Sequence, residues 1–211
     1  QINVTVDSTR QTTCNGDADG SAYISVTGGT PGYTFLWTGI TTSHTSTMED
    51  PNDLVADRYD LVVTDANDCF RTFNDLLEIT EPDLVDVTDL IVTAISCYGD
   101  STGAIQITPI GGTAPYNFGW TVSNGFTADT EDILDIKAGT YSVTITDSRG
   151  CFEIFTDIAT VGESTEITSG FTIDHISCYG SDDGSIDASV SGGNLPYTFS
   201  WTGPSFAAGT E

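Results

Sequence analysis

Basic residues are nearly missing from this chain: five stand against 31 acidic ones, a formal net charge of −26 that is spread along the whole length rather than held in a tail. Such a field repels nucleic acid and anionic membrane, and it favours water and divalent cations as company. Nucleic-acid partners are thereby excluded. Long apolar runs are also lacking, and the opening QINVTV has no charged region followed by a hydrophobic stretch, so neither membrane insertion nor a leader is expected. The chain reads as a mature or excised piece. Helical periodicity is almost absent. Histidine is limited to His44 and His175, which occupy unrelated positions without a recurring serine or cysteine partner. No nucleophile triad follows from them, and paired carboxylates are too common in so acidic a chain to single out a hydrolase pair. The chain is not read as an enzyme.

What is present is a phrase stated three times. CNGDADGSAYISVTGGTPGYTFLWT begins at Cys14, CYGDSTGAIQITPIGGTAPYNFGWT at Cys97, and CYGSDDGSIDASVSGGNLPYTFSWT at Cys178. Trp37, Trp120 and Trp201 follow their cysteines at one fixed spacing, and the period is about 82 residues. The organisation is therefore two complete repeats, residues 1–82 and 83–165, and a partial third, residues 166–211, covering the first half of a repeat only. Borders fall near ITEPDLVD and TVGESTEI, with linkers too short for free bending, so a fairly stiff rod is expected.

Within each copy the pattern has period two. Tyr33, Phe35 and Trp37 share one strand face; Tyr116, Phe118 and Trp120 repeat it, as do Tyr197, Phe199 and Trp201. These nine aromatics are read as structural core, which leaves the tryptophans unsuited to stacking on sugars. Further strands read at SAYISV, AIQITPI, SIDASV, RYDLVVT, TYSVTIT, INVTV and DLIVTAI. The glycine pairs Gly28-Gly29, Gly111-Gly112 and Gly192-Gly193, each closely followed by proline, are turn chemistry and not phosphate loops, since no helix or lysine follows. The fold class is all-β, a tandem of immunoglobulin-like β-sandwiches.

Each complete copy owns two cysteines, the second in VVTDANDCF or TITDSRGCF. The simplest pairing is Cys14–Cys69 and Cys97–Cys151, which leaves Cys178 unpaired because its partner position lies past Glu211. Such bonds imply an oxidising compartment and would each contribute roughly 4 kcal/mol by closing a loop. A cysteine metal site is disfavoured by the absence of C-x-x-C spacing. Lys137 is the only lysine, so Lys–Asn isopeptide bonds cannot recur in every copy.

The acidic loop after each first cysteine is the best candidate for a site. Asp17 and Asp19, Asp100, and Asp182 and Asp183 lie there, with Asp65 and Asp147 recurring before the second cysteine. Clustered carboxylates with loop carbonyls suit calcium, which wants six to eight hard oxygens; the competing reading is Asx turns and solvated charge. No cofactor is required, and calcium is the one ion to test. The loops after the tryptophan, TGITTSHTSTMEDPND and TVSNGFTADTED, differ between copies and read as unconstrained surface loops, the competing reading being that a ligand binds there.

The string Cys-x-Gly, acidic stretch, Gly, alternating strand, Gly-Gly, Pro, Tyr-x-Phe-x-Trp, continued by DRYDLVVTDANDC or AGTYSVTITDSRGC, closely resembles the SprB repeat, named for a giant surface adhesin of gliding Bacteroidetes. The departures are small: Asn15 stands where the other copies have Tyr98 and Tyr179, and Pro31 is one place earlier than Pro115 and Pro196. The resemblance implies an extracellular, cell-surface adhesin or filament, exported by the type IX route, that serves attachment or gliding motility. Its partners would be neighbouring repeats of the same or another copy, and a surface polysaccharide or substratum. The alternative is a carbohydrate-binding module using the variable loops. Residues 166–211 are read as a fragment cut inside the third repeat, the competing reading being a half-domain that strands from another molecule complete.

Overall fold

The computed structural model describes residues 1–122, 125–203 and 206–208. Among them every regular element is a strand, and no helix is long and apolar enough to cross a membrane. The first repeat contributes β1 (Asn3–Arg10), β2 (Ser21–Thr27), β3 (Thr34–Gly39), β4 (Thr45–Ser46), β5 (Asp57–Thr64) and β6 (Phe70–Ile79). The second contributes β7 (Asp86–Thr93), β8 (Gly103–Ile110), β9 (Asn117–Val122), β10 (Thr127–Ala128), β11 (Ile133–Ile136), β12 (Gly139–Thr146) and β13 (Phe152–Val161). The last stretch holds β14 (Thr168–Asp174), β15 (Ser185–Ser191), β16 (Trp201–Gly203) and β17 (Phe206–Ala208).

Each complete repeat makes two sheets. In the first, β1-β2 faces a four-stranded sheet ordered β4-β3-β5-β6; in the second, β11-β8-β7 accompanies β10-β9-β12-β13. Period-two patterning explains the sandwich, because alternate residues of β5 (Tyr59, Leu61 and Val63) are fully buried while their neighbours are not. Tyr141, Val143 and Ile145 of β12 do the same. Trp37 and Trp120 are fully buried, and each indole N–H is satisfied, by the Met48 and Thr130 carbonyls at 2.9 Å. Tyr33, Phe35, Tyr116 and Phe118 are half-buried at the sheet edge of the same face.

By compactness the chain divides into one unit of Gln1–Thr88, Pro109–Phe118 and Thr144–Ile154, and another of Asp89–Thr108, Gly119–Val143 and Phe155–Glu211. The second repeat contributes to both.

The third copy departs from expectation at its aromatic strand. Tyr197, Phe199 and Trp201 were expected on one strand, but regular pairing begins only at Trp201. In the first repeat β3 is held along its length by β5, from Thr34 opposite Thr64 to Gly39 opposite Tyr59. In the third copy the described pairing of this stretch is that of Trp201–Gly203 with Phe206–Ala208.

Two long strands carry a bulge that breaks the alternation. Asp75 in β6 and Asp157 in β13 both sit at φ 53°, and the β5–β6 register shifts between Tyr59 and Leu61. Two extra residues of β6 are accommodated there, since Phe73 and Leu77 stand opposite Leu61 and Tyr59, and Phe73, Leu77 and Ile79 all turn toward the same core.

Candidate functional site

Three recurring turns build the site. The first is Cys-x-Gly: the Cys14 carbonyl accepts the Asp17 N–H at 3.2 Å, with Gly16 at φ 78° in the third position of the turn. Only glycine enters that left-handed region cheaply, which is why the motif keeps it two residues after the cysteine. Cys97 with Asp100 and Cys178 with Ser181 repeat the bond, at 3.3 and 3.1 Å. A carboxylate from the end of the same repeat caps the turn, Glu81 on the Gly16 N–H at 2.6 Å and Glu163 on the Gly99 N–H at 2.7 Å.

The second turn is the glycine pair. Its first member is pressed onto the backbone that precedes the opening strand: a methyl added at Gly111 would lie 1.8 Å from the Leu84 carbonyl oxygen, and one at Gly192 would lie 1.9 Å from that of Glu166. The tyrosine that opens the aromatic stretch donates its hydroxyl to the carbonyl of that glycine in all three copies, Tyr33 to Gly28, Tyr116 to Gly111 and Tyr197 to Gly192.

The third is Thr-Asp-x-x-x-Cys. Asp147 accepts N–H groups from Thr113 at 2.8 Å, Arg149 at 2.8 Å and Cys151 at 2.9 Å; Asp65 does so from Thr30 at 3.0 Å, Asn67 at 2.9 Å and Cys69 at 3.0 Å. Burial would raise the Asp147 pKa, but the amides of Cys151, Thr113, Arg149 and Gly150 outweigh it and hold the carboxyl below its usual range. Asp65 is lowered first by the Thr30 amide, against burial, with Asn67 and Cys69 adding to it. Each carboxylate thus ties the cysteine turn to the glycine-pair loop of its own repeat.

The disulfide joins Cys14 to Cys151, with Cα atoms 5.5 Å apart and a sequence separation of 137 residues. This corrects the expected Cys14–Cys69 and Cys97–Cys151 pairs: Cys69, Cys97 and Cys178 are all free and exposed. The reason is topological. Cys14 lies before β2, whereas the Asp65 turn that carries Cys69 is bound to Thr30 beyond the far end of β2. Seven extended residues span ~23 Å at about 3.3 Å each, and a disulfide needs Cα atoms within about 7 Å. Equal spacing in sequence reflected the repeat and not proximity. The bond lies beside a cleft of about 240 Å³ bordered by Asn15, Asp17, Pro82, Gly112 and Phe152.

The acidic residues nominated for calcium fall into separate places. Asp19 binds the Thr13 hydroxyl and amide and pairs with Arg10 at 3.0 Å, and the Thr13 hydroxyl is the main cause of its lowered pKa. Asp183 repeats that role on the Ser177 amide at 3.0 Å, and Asp17 accepts the Cys14 N–H at 3.1 Å. Asp100 and Ser181 close their turns through backbone N–H groups, with Asp182 following. Asp65 and Asp147 belong to the cysteine turn and not to the acidic loop of their own repeat. Among the described residues no three metal-ligating side chains are grouped to hold an ion.

The SprB repeat family matches at residues 3–42, 90–125 and 170–206, more than half of the chain. The chain belongs to the SprB repeat family. No curated protein matches it. SprB repeats are structural adhesin repeats that occur in cell-surface proteins, so this chain is a segment of that kind.

SprB framework and loops separate cleanly here. The first variable loop is fastened by Asp57, which accepts from the amide and hydroxyl of both Thr41 and Thr42. Burial opposes its ionisation, yet the Thr42 hydroxyl and amide, the Arg58 amide and the Thr41 hydroxyl keep its pKa far below normal. Sequence reading missed a shared feature of these loops: His44 sits edge-on to Tyr59 with ring centres 6.4 Å apart, and Phe126 does the same to Tyr141 at 5.9 Å. The signal was a single aromatic at matching positions in otherwise unlike stretches. Tyr59 and Tyr141 each donate to a backbone carbonyl, Val55 at 3.0 Å and Lys137 at 2.8 Å. Burial pushes the Tyr59 hydroxyl up to about 12, so it remains a donor.

Proposed function

We propose that this chain is a structural stalk or filament segment of an extracellular bacterial adhesin, exported by the type IX route and serving surface attachment or gliding motility. The observation that carries the reading is the Cys14–Cys151 bond, which ties the first turn of one repeat to the cysteine turn of the next. A covalent link between successive copies serves load transmission along an array; a module that only binds a ligand has no use for it. The recurrence of the framework hydrogen bonds of Tyr33, Tyr116 and Tyr197 and of Asp65 and Asp147 supports the same reading. Copying the scaffold while the loops vary is what an element selected for length and strength requires.

The alternative, a carbohydrate-binding module, would place its ligand on the loops after Trp37 and Trp120. Those tryptophans are buried and offer no stacking face. A glycan screen on the full chain separates the two readings. The stalk expects no saturable binding; saturable binding abolished by changes in residues 40–50 would overturn it. The expected partners are then neighbouring repeats and, through other parts of an adhesin, a substratum.

A further inference from the structure

Both halves of the Cys14–Cys151 bond recur elsewhere with their thiols free. Cys97 occupies the same Cys-x-Gly turn as Cys14, capped by Glu163 as Cys14's turn is by Glu81, and it is exposed. Cys69 occupies the same aspartate-held turn as Cys151 and is also exposed. In the first junction the glycine-pair loop of the next repeat borders the bonded cysteine, with Gly112 lining the cleft beside Cys14. The counterpart loop of the third copy has already arrived beside Cys97: the Asn194 side-chain amide donates to the Ser96 carbonyl at 2.8 Å and to the Ser164 hydroxyl at 3.0 Å. In the first junction the cysteine turn is bound to the glycine-pair loop through Asp147 and Thr113, so docking that loop brings the thiol with it.

A second observation points to the same occupant. Ile176 and Ile186 are 54% and 55% exposed, while their counterparts Ile95 and Ile105 are 3% and 0% exposed. They border an open apolar cavity of about 670 Å³ with Ile173, Phe199 and Trp201. In the first repeat this face shares one core with Tyr59, Leu61 and Val63 of β5, and β12 buries the matching Tyr141, Val143 and Ile145; each is a Tyr-x-Leu/Val-x-Val/Ile strand followed by Thr-Asp-x-x-x-Cys.

We propose that Cys97 forms a disulfide with the cysteine of such a strand-and-turn segment belonging to the following repeat, so that an array of these repeats is stitched one repeat ahead at every junction. The segment that closes the apolar face of residues 168–203 and the one that supplies the sulfur are the same piece of chain. Each bond converts two thiols to one S–S, releasing two protons and two electrons; glutathione disulfide accepts them and leaves as two glutathione thiols. The inference deepens the stalk reading and rests on it only for its purpose, since the chemistry follows from the bond already formed.

The test extends the full chain after Glu211 with a copy of residues 131–165, oxidises it in a glutathione buffer, blocks free thiols with iodoacetamide, and maps peptides without reduction. The expected result is a Cys97 peptide joined to the copied cysteine, with Cys69 and Cys178 alkylated. The Cys14–Cys151 link in the same map reports that the array has folded. In the extended C97S variant the copied cysteine becomes alkylated instead of moving to Cys178. A second arm adds a synthetic peptide of residues 139–161 to the unextended chain; capture at Cys97 shows that a separate molecule can supply the segment, and capture in the first arm alone assigns it to the same chain. A bond from the copied cysteine to Cys178, or a free Cys97 in both arms, overturns the proposal. Neither result touches the glycan screen, so the stalk reading fails or stands separately.

Discussion

The Asp147 carboxylate holds the Thr113 amide at 2.8 Å across 34 residues, and the Asp65 carboxylate holds Thr30 in the same way at 3.0 Å. Each of these aspartates also fixes the amide of the cysteine four residues on. The turn that presents sulfur and the loop that meets the neighbouring repeat are thereby one rigid piece.

From this follows a pH dependence. The folded-state pKa of Asp147 is depressed, so its stabilisation is complete above the unfolded value of about 3.9 and is lost as pH falls through the lower folded value. Asp147→Asn should therefore melt below the wild type at pH 7, and Asp147→Ala, which leaves three amides without an acceptor, should lose about 1–3 kcal/mol. Thermal melts from pH 7 to pH 3 check this: the gap between wild type and Asp147→Asn should close below about pH 4. A constant gap would mean that shape and not charge matters.

Removing the observed disulfide should be costly, and removing the expected one should not. Cys14→Ser or Cys151→Ser is expected to lose about 2–5 kcal/mol by denaturant titration, while Cys69→Ser, at an exposed free thiol, stays within about 0.5 kcal/mol. Dithiothreitol should bring the wild type down to the Cys14→Ser curve. A loss in Cys69→Ser comparable to that of Cys14→Ser would contradict the pairing.

Gly111→Ala should destabilise for two reasons that act together. Its φ of 67° costs a non-glycine residue about 1–3 kcal/mol, and the new methyl meets the Leu84 carbonyl oxygen at 1.8 Å. Gly162→Ala, whose methyl meets nothing within 4 Å, is the matched control. Circular dichroism melts of the pair should show a loss for the first only.

The core reading of the tryptophans predicts that Trp120→Ala loses about 3–5 kcal/mol, because the indole is fully buried and its N–H bond to Thr130 goes with it. Tyr141→Phe, which removes only the hydroxyl bonded to Lys137, should lose about 0.5–1.5 kcal/mol. Chemical denaturation of both variants gives the comparison; a silent Trp120→Ala would return the indole to the list of ligand platforms.

Calcium should leave the melting temperature unchanged at millimolar concentration. Asp17, Asp19 and Asp183 already accept backbone amides, and Asp65 and Asp147 are committed to the cysteine turns. A ligand that binds only the folded state must raise the midpoint. A saturating rise reversed by chelator would show that these carboxylates exchange their amide partners for the ion.

Much of this protein is written in its sequence. Three copies of Cys-x-Gly, Gly-Gly and Tyr-x-Phe-x-Trp determine the turns and the buried strand face, because glycine at positive φ and alternation of apolar residues are local requirements that hold in any surroundings. The long strands β6 and β13 were not legible, since a bulge at Asp75 and Asp157 interrupts the alternation that would have revealed them. Nor was the shared role of His44 and Phe126, which depends on a tyrosine distant in sequence. The disulfide lay beyond the sequence for a deeper reason. Spacing locates both cysteines of each copy, but only the tertiary structure puts them at opposite ends of β2 and sets Cys14 against the next copy's turn, and a bond needs contact in space.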